Sequence, residues 1–425
     1  MRYQQFILVF ILLFMSMFAS KIGVIDLSVL SYSAIGILLI IRIKSPKLPA
    51  EQLVLMKMGF LILLYSILLL LITDSNESYV VFRNVRALLS IAILGTVFYN
   101  INIPLKGLLN IIIIVIIMHS IAIDLQMLYS PIKMYLAPIV GYNKELLPLR
   151  AFGLIGDYDS AGLLCIIGTI ISLQLLFHTK SIKYLFSGFL CSMSVFFTSR
   201  LNMLILLAIL ILASLLWLKS RRSTIKSKIF IIISSLIVGY YIVLLVIPLL
   251  YSTIPLIKEN FSLSNNQSIY IYDSSYGMGS QEYLLNSMWI LPDEIAGTIF
   301  GTGYSPAKSD IGYVNIIFMI GLVGLLVLIL FYSYLLRSLR QSMKFLAKIN
   351  NDNFYINTSI YSLIAIILLL FIYNIKLLYL FTRTFHEILI IMYFTIIANV
   401  NRLIIQSSAT MKDTSCLKNN TAVQK

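Results

Sequence analysis

The sequence predicts an all-α, polytopic integral membrane protein with about twelve transmembrane helices and one long outer loop. Hydrophobic residues make up 60% of its 425 residues and charged residues 12%, whereas ordinary globular chains have roughly 45–50% and about 25%. The mean hydropathy of +0.95 agrees with this balance. A soluble fold of this length needs more charged surface than 32 basic and 17 acidic side chains provide. Most of the chain is therefore expected to lie in lipid.

Twelve apolar runs account for the predicted helices, because a helix needs about 20 mostly apolar residues to cross the hydrocarbon core. The runs cover approximately residues 4–20, 24–41, 53–73, 87–102, 108–128, 161–177, 184–198, 201–218, 229–251, 311–334, 358–376 and 386–403. Residues 1–403 are accordingly predicted to form one membrane domain. The polar segment 404–425 is predicted to be a disordered cytoplasmic tail.

The first apolar run resembles a secretory signal peptide, since Arg2 precedes it and the small residues Ala19 and Ser20 follow it. A second run begins almost at once, at Val24. This spacing favours an uncleaved first helix. Cleavage would leave eleven spans.

The formal net charge of +15 indicates membrane topology rather than nucleic-acid binding. With the N-terminus placed in the cytoplasm, 21 of the 32 lysines and arginines and 3 of the 17 acids fall in inner segments, which gives +18 inside and −3 outside. Cytoplasmic loops of membrane proteins are enriched in positive charge. We therefore expect a membrane protein with both termini cytoplasmic, no nucleic-acid partner, and attraction of the basic face to anionic membrane lipid.

Histidine and cysteine are too sparse to suggest a metal centre. The three cysteines and three histidines are scattered singly, at Cys165, Cys191, Cys416, His119, His178 and His386. This pattern has neither the spacing of a disulfide framework nor that of a zinc site. We expect no metal and no cofactor.

The most varied polar chemistry lies in three predicted outer segments, residues 74–86, 129–160 and 253–310. The last is the longest and mixes carboxylates with aromatic rings. Within it, SQEYLLNSMWI could form a short amphipathic helix that lies at the membrane surface. An aromatic belt at the membrane interface would have the same composition, so both interpretations stay open.

Residues 150–162, with the sequence RAFGLIGDYDSAG, place Arg150 beside Gly153, and Asp157 and Asp159 follow just before a span. Glycines permit a tight turn, and an arginine can hold a phosphate through two parallel hydrogen bonds. Asp159 or Ser160 could instead cap the following helix. Capping alone would leave Arg150 and Asp157 unexplained.

Two further arginine features lie at the predicted outer boundary. Arg200 ends the stretch Thr198-Ser199-Arg200, where one span gives way to the next almost without a loop. It could reach lipid headgroups or line a cavity between helices. Arg83 and Arg86 share one helical face through their i,i+3 spacing. They could grip a diphosphate or anchor the helix at the interface, and we favour the anchor.

The end of the long outer loop carries a third feature, FGTGYSPAKSDIGY. Gly301, Gly303 and Tyr304 lie in its first half, and Asp310 stands where the chain re-enters the membrane. Glycines let a backbone approach a ligand closely. Asp310 could be no more than a helix cap.

Together these stretches resemble the O-antigen polymerases of the Wzy type, within the larger group that includes the O-antigen ligases. The matching stretches are RAFGLIGDYDSAG, the TSR midway along the chain, and FGTGYSPAKSDIGY with the glycine-containing span IIFMIGLVGLLVLIL that follows it. The resemblance covers most of the chain in order, spacing and membrane side. Ligases of this group carry a histidine in or at the end of the long loop; residues 253–310 contain none, which favours a polymerase.

The resemblance implies a glycosyltransferase that polymerises oligosaccharide repeat units carried on undecaprenyl diphosphate, at the outer face of the inner membrane. We expect Arg150 and Arg200 to stabilise the diphosphate, with Arg86 in reserve, and Asp157 or Asp310 to act as the base. The expected substrate-binding residues are Arg83, Arg86, Gly153, Asp159, Gly301, Gly303 and Tyr304. The implied protein partners are a chain-length regulator, a flippase and a ligase of the same pathway.

Two other functions compete with polymerisation. A ligase-like transferase would use the same lipid-linked donor. A flippase for these lipids must shelter a diphosphate across the bilayer midplane, so it should carry cations in the middle of its spans. Here His119 is the only ionisable residue predicted near a span centre, and no internal repeat of the transporter kind is visible.

Overall fold

The computed structural model describes residues 3–18, 21–22, 25–43, 45–73, 78–142, 146, 150–219, 288–306, 309–348 and 353–422. The predicted span at 229–251 and most of the predicted outer loop at 253–310 lie outside these residues.

Within this part of the chain the fold is helical apart from one two-residue strand pair. Strands β1 (Lys21–Ile22) and β2 (Ile25–Asp26) pair antiparallel. The helices are α1 (Tyr3–Phe18), α2 (Leu27–Arg42), α3 (Ala50–Ile72), α4 (Tyr79–Asn100), α5 (Leu105–Leu128), α6 (Ser130–Val140), α7 (Tyr158–Thr179), α8 (Ile182–Val195), α9 (Arg200–Lys219), α10 (Ile295–Phe300), α11 (Gly312–Lys348), α12 (Phe354–Tyr373) and α13 (Phe385–Ala422).

Seven of the described helices are long and apolar enough to cross a membrane: α3, α4, α5, α7, α11, α12 and α13. Shorter apolar helices are α1, α2, α6, α8 and α9. The prediction of an all-α polytopic membrane protein is confirmed at this level. Helices stand at eleven of the twelve predicted positions, and the twelfth falls outside the described residues.

Three elements differ from the sequence prediction. Helix α4 begins at Tyr79 rather than near residue 87, so two arginines that interrupt the apolar run lie inside it. Helix α6 forms in a segment predicted as loop; Pro131 suits its first turn and Gly141, with φ +74°, ends it. Helix α13 continues to Ala422 through the segment predicted to be disordered, where neither glycine nor proline interrupts it.

The chain divides into two compact units, the first formed by Met1–Ile112 with Met288–Lys425 and the second by Ile113–Ser287. In the first unit, residues 385–398 of α13 are buried without interruption and contact α4. Thr384 Oγ1 donates to Met17 O (2.8 Å) at one end of the unit, and Asn100 Nδ2 donates to Lys47 O (2.9 Å) at the other. These bonds join the end of α1 to the start of α13 and the start of α3 to the end of α4, so each of these two pairs runs antiparallel.

Helix α7 is the core of the second unit. All its residues from Tyr158 to Leu173 are buried, and it contacts both α8 and α9. Gly168 permits this close packing, because a Cβ there would lie 2.7 Å from Ile116 Cγ2 and 3.0 Å from Cys191 Sγ. The stretch RAFGLIGDYDSAG leads directly into this central helix.

Candidate functional site

The predicted site residues fall into two groups, and each group is held by helices of its own unit. The second unit contains Arg150, Gly153, Asp157, Asp159 and Arg200. The first unit contains Arg83, Arg86, Gly301, Gly303, Tyr304 and Asp310.

In the second unit, Gln126 on α5 holds residues 150–157, here named the arginine loop. Its Oε1 accepts hydrogen bonds from the backbone N–H groups of Phe152 (3.1 Å) and Gly153 (3.0 Å), and its Nε2 donates to Gly153 O (2.8 Å). The Gln126 side chain is buried. Because buried polar groups are stable only when paired, these bonds fix the loop on α5.

His119 lies about two turns before Gln126 on α5 and contacts the same loop. Leu154 N donates to its Nδ1 (3.0 Å), which assigns the ring proton to Nε2, 3.3 Å from Ala161 O. Gly153, with φ +59°, packs on this ring, and a Cβ there would lie 2.6 Å from His119 Cε1. His119 is therefore a neutral side chain that positions the loop.

Asp157 is the N-cap of α7. Its Oδ2 accepts hydrogen bonds from Ser160 N (2.9 Å) and Ser160 Oγ (2.8 Å). The sequence offered this role to Asp159 or Ser160, and the structure gives it to Asp157, two residues before Asp159. Asp159 is buried in the first turn, where the helix dipole favours a carboxylate.

Aromatic rings of Tyr142, Phe152 and Tyr158 form a cluster at the arginine loop. The rings of Tyr142 and Phe152 are stacked with centroids 4.8 Å apart, and Tyr158 meets Tyr142 edge-on at 5.3 Å. Burial and the hydrogen bond with Tyr158 raise the pKa of Tyr142, and the Arg150 guanidinium opposes this effect. Arg150 thus lies within electrostatic reach of the Tyr142 phenol.

The turn that precedes Arg200 packs against the arginine loop. Ala151 N donates to Phe197 O with a distance of 2.6 Å, so the residue next to Arg150 is bonded three residues before Arg200. Arg200 itself is the first residue of α9 and is half-buried. The structure brings together the two stretches that carry the two predicted catalytic arginines.

Asn202 reinforces this contact from the first turn of α9. Its Nδ2 donates to the carbonyl oxygens of Tyr158 (3.3 Å) and Asp159 (3.1 Å). Gly162 leaves room for the amide, because a Cβ at that position would overlap Asn202 Nδ2. The last glycine of RAFGLIGDYDSAG therefore serves the packing of α7 on α9.

Arg150 is half-buried, and no described residue forms a hydrogen bond or ion pair with its guanidinium. Its loop is fixed by Gln126, His119 and the turn at Phe197. The second unit thus fixes the backbone beside Arg150, and no described residue occupies the hydrogen-bond donors of its guanidinium.

In the first unit, Arg83 and Arg86 differ from Arg150, because both donate hydrogen bonds to described residues. Arg83 is only 8% exposed, and its Nη2 donates to Leu380 O and to Thr382 Oγ1 (2.8 Å). Arg86 Nη2 donates to Phe381 O (2.9 Å). Both guanidinium groups face the protein and clamp the loop between α12 and α13, whereas the interpretation favoured from sequence placed them at the membrane interface.

Carboxylates complete a buried charge network, which consists of Asp26, Arg83, Arg86, Arg383 and Glu387. Arg86 Nη1 lies 3.7 Å from Asp26 Oδ2, and its Nε lies 3.5 Å from Glu387 Oε1. Arg383 Nη1 lies 3.5 Å from Asp26 Oδ1. The Glu387 side chain is fully buried. Burial lowers the pKa of Arg383, and Asp26 opposes the shift.

The clamped loop has an unusual backbone. Phe381 and Thr384 adopt φ values of +58° and +73°, which side-chain-bearing residues rarely adopt. Such conformations cost about 1–3 kcal/mol each and persist only where surrounding contacts enforce them. The bonds from Arg83 and Arg86 to consecutive carbonyls of this loop supply that enforcement.

The sequence pointed to only part of this network. The spacing of Arg83 and Arg86 indicated a shared helical face, but Asp26, Arg383 and Glu387 lie on other segments of the chain. Asp26 also caps α2 through Ser28 N (3.0 Å). No local pattern identifies its ion pairs with residues 60 and more positions away.

Gly301 permits a close approach to α11. Gly301 (φ +91°) packs on Gly321 (φ +66°), where α11 is interrupted, and a Cβ on Gly301 would lie 2.7 Å from Gly321 N. Thr302 N donates to Phe318 O (2.6 Å), a carbonyl near this interruption. Gly303 also has a positive φ of +77°.

The two remaining predicted residues of this stretch are solvent- or lipid-accessible. Tyr304 is 43% exposed and its ring meets Phe318 edge-on at 5.8 Å. Asp310 is exposed, and no described group donates a hydrogen bond to its carboxylate. Ser309 Oγ, not Asp310, accepts from the N–H of Ile311 at the start of α11 (3.2 Å). The helix-cap alternative for Asp310 has no support in this geometry.

Comparisons with protein-family models and with curated proteins yield no match to this chain.

Proposed function

We propose that the chain polymerises undecaprenyl-diphosphate-linked oligosaccharide repeat units into a surface polysaccharide, O-antigen or capsule, at the outer face of a bacterial inner membrane. In this proposal the chain crosses the membrane twelve times, both termini are cytoplasmic, and residues 253–310 form the outer loop. The resemblance of three stretches to Wzy-type polymerases suggests the reaction.

One observation supports this function most directly: the arginine loop is fixed by buried hydrogen bonds, yet the Arg150 guanidinium has no acceptor among the described residues. Because the backbone is fixed, an anion that binds the guanidinium breaks no hydrogen bond between Arg150 and a described residue. Arginine matches phosphate oxygens with two parallel hydrogen bonds. A lipid diphosphate is such an anion.

The chemistry follows from the charge that develops on the leaving group. A hydroxyl oxygen of the acceptor repeat unit attacks the anomeric carbon of the growing chain. A glycosidic C–O bond forms, the C–O bond to diphosphate breaks, and the electron pair leaves on the diphosphate. Arg150 and Arg200 stabilise that charge, a role for which prearranged donors contribute about 10²–10³-fold in rate.

The proton of the acceptor hydroxyl passes to a base or to water. Asp310 is the better candidate in this proposal, because its carboxylate is exposed and accepts no hydrogen bond from a described residue. Asp157 Oδ2 already accepts two hydrogen bonds as the cap of α7. Arg86, the reserve cation for the diphosphate, is engaged by Phe381 O and two carboxylates.

The test is complementation of a deletion strain of the source bacterium with Arg150→Ala, read as the length distribution of surface polysaccharide on a gel. We expect single capped repeat units in place of long chains. Arg42→Ala is the matched control, since Arg42 is an exposed arginine at the opposite end of α2 from the cap Asp26. It should restore long chains at equal protein level.

The deletion strain itself separates the competing functions. Loss of a polymerase leaves one repeat unit on the acceptor, loss of a ligase leaves none, and loss of a flippase traps lipid-linked units inside the cell. Normal long chains in either the deletion strain or the Arg150→Ala strain would refute the proposal.

A further inference from the structure

The chain between Met288 and Ile311 doubles back on itself beside α11. Ser309 Oγ donates to Met288 O (2.7 Å) and joins the two arms at their base. The descending arm contains α10, and the turn lies at residues 301–303, where Thr302 N bonds to Phe318 O. We call residues 289–304 the descending hairpin.

The contacts of the hairpin with α11 show how far the hairpin extends along that helix. The helix starts at Gly312, and Thr302 is bonded to Phe318, six residues further along. At a rise of about 1.5 Å per residue, the turn of the hairpin lies about 9 Å along α11 from its start. Gly301 contacts α11 deeper still, at Gly321.

Helix α3 gives an independent measure of the same depth. Tyr65 Oη donates to Phe300 O (2.5 Å), and Tyr65 precedes the last residue of α3, Ile72, by seven positions. That spacing corresponds to about 10 Å along the helix. The six residues of α10 rise about 9 Å themselves. The positions along α3 and α11 and the length of α10 therefore all indicate a depth of about 9–10 Å for the turn of the hairpin.

The hairpin presents apolar side chains at this depth. Its exposed apolar side chains, given with their exposed fractions, are Trp289 (49%), Leu291 (59%), Ile295 (80%), Ile299 (38%), Phe300 (53%) and Tyr304 (43%). Asp293 and Glu294, also exposed, stand just before α10 begins. Trp289 and Leu291 lie on the base side of these carboxylates, and the exposed residues Ile295, Ile299 and Phe300 follow them toward the turn. An aromatic and charged end followed by apolar residues matches the boundary between headgroups and hydrocarbon.

The backbone at the turn is paired as a hydrocarbon environment demands, because no water is available there to replace missing partners. Gly301 N donates to Gly297 O (2.7 Å) and Thr302 N to Phe318 O (2.6 Å). Phe300 O accepts from the Tyr65 hydroxyl. The apolar side chains project outward while these polar groups are satisfied by protein.

We propose that the descending hairpin is a re-entrant segment of the outer loop, and that its exposed apolar face is immersed in the acyl chains of one membrane leaflet rather than in water. Lipid acyl chains are the partner of this apolar face, because the face lies about 9–10 Å along the membrane-length helices α3 and α11. The inference does not depend on the polymerase activity.

Site-directed spin labelling tests this placement in the full chain, reconstituted in vesicles of phosphatidylethanolamine and phosphatidylglycerol. A Cys416→Ser background removes a cysteine, and the buried Cys165 and Cys191 remain. Single cysteines are introduced by Ile299→Cys near the turn of the hairpin, Asp293→Cys at its charged end just before α10, and Leu68→Cys on the exposed face of α3. The measurement is the collision rate of each label with oxygen, which enriches in lipid, and with a neutral nickel chelate, which stays in water.

We expect the oxygen-to-nickel ratio at 299 to be severalfold higher than at 293 and equal to the ratio at 68. A ratio at 299 equal to that at 293 would place the hairpin in water and overturn the inference. Low collision rates with both reagents would show that protein covers this face, and would overturn it equally. Tyr304→Cys on the returning arm supplies a second probe, with the same expectation, if Ile299→Cys does not fold.

Discussion

The two candidate sites both contain arginines, but the acceptors around their guanidinium groups differ. In the buried charge network, Arg83 and Arg86 meet three consecutive loop residues and two carboxylates. In the arginine loop, the protein's hydrogen bonds go to the backbone around Arg150, and no described residue engages its guanidinium. The difference teaches that the acceptors surrounding an arginine, more than its place in a motif, decide whether it stabilises the fold or is available to a ligand.

The two arrangements should respond differently to mutation. Removing one member of a buried ion pair leaves its partner charged and unpaired in a medium that solvates it poorly, and is therefore costly. Removing a guanidinium that has no acceptor among the described residues leaves none of their groups unpaired. Stability and activity should consequently separate between the two units.

The largest loss of stability is expected for Arg86→Ala. This change leaves Glu387 buried and removes a partner of Asp26, so the free energy of unfolding should fall by about 3–5 kcal/mol. The measurement is thermal unfolding in detergent micelles, with Arg42→Ala as the control. Combining Arg86→Met with Glu387→Leu removes both charges and should destabilise less than Arg86→Ala alone. Wild-type melting of Arg86→Ala would show that the network does not hold the fold.

Gln126→Leu should have the next largest effect. It leaves the N–H groups of Phe152 and Gly153 and the carbonyl of Gly153 without their buried partner, which costs about 1–3 kcal/mol. Hydrogen exchange should accelerate at residues 152–154 and remain unchanged in α4, which serves as an internal reference. Unchanged exchange in the loop would mean that α5 does not fix Arg150.

Substitutions of Asp157 distinguish a capping role of this residue from a catalytic one. Asp157→Ala removes the cap of α7 and should cost about 0.5–2 kcal/mol, whereas Asp157→Asn keeps a capping oxygen and should change stability by only a few tenths of a kcal/mol. We expect Asp157→Asn to retain long polysaccharide chains and Asp310→Asn to lose them. The reverse outcome would assign the base to Asp157.

Arg150→Ala should change stability least, within about 0.5 kcal/mol, as for substitutions that leave no group unpaired. Its melting temperature in detergent should match that of wild type although polymer length collapses. A loss of stability comparable to that of Arg86→Ala would show that the Arg150 guanidinium has a structural acceptor, and the contrast between the two units would fail.

The apolar runs located the helices better than they located the helix ends. The window that predicted a span from residue 87 excluded Arg83 and Arg86 because charged residues lower mean hydropathy, yet both lie in α4, where distant carbonyls and carboxylates satisfy them. Helix α6 was missed because its eleven residues are too few to span a membrane. The grouping of Arg150 with Arg200 as candidates came from motif order; the backbone bond from Ala151 to Phe197 could not have been read from the sequence.

The sequence by itself determined that this is a helical membrane protein, because hydrophobic content and run length respond only to composition along the chain. It also identified arginines, glycines and carboxylates as candidate site residues. Only the tertiary structure decided what each of them contacts: Asp157 caps a helix, Gly153 accommodates His119, and Arg86 pairs with Asp26 and Glu387. These roles depend on contacts between residues far apart in the chain, and such contacts are set by how whole helices pack, which no local pattern encodes.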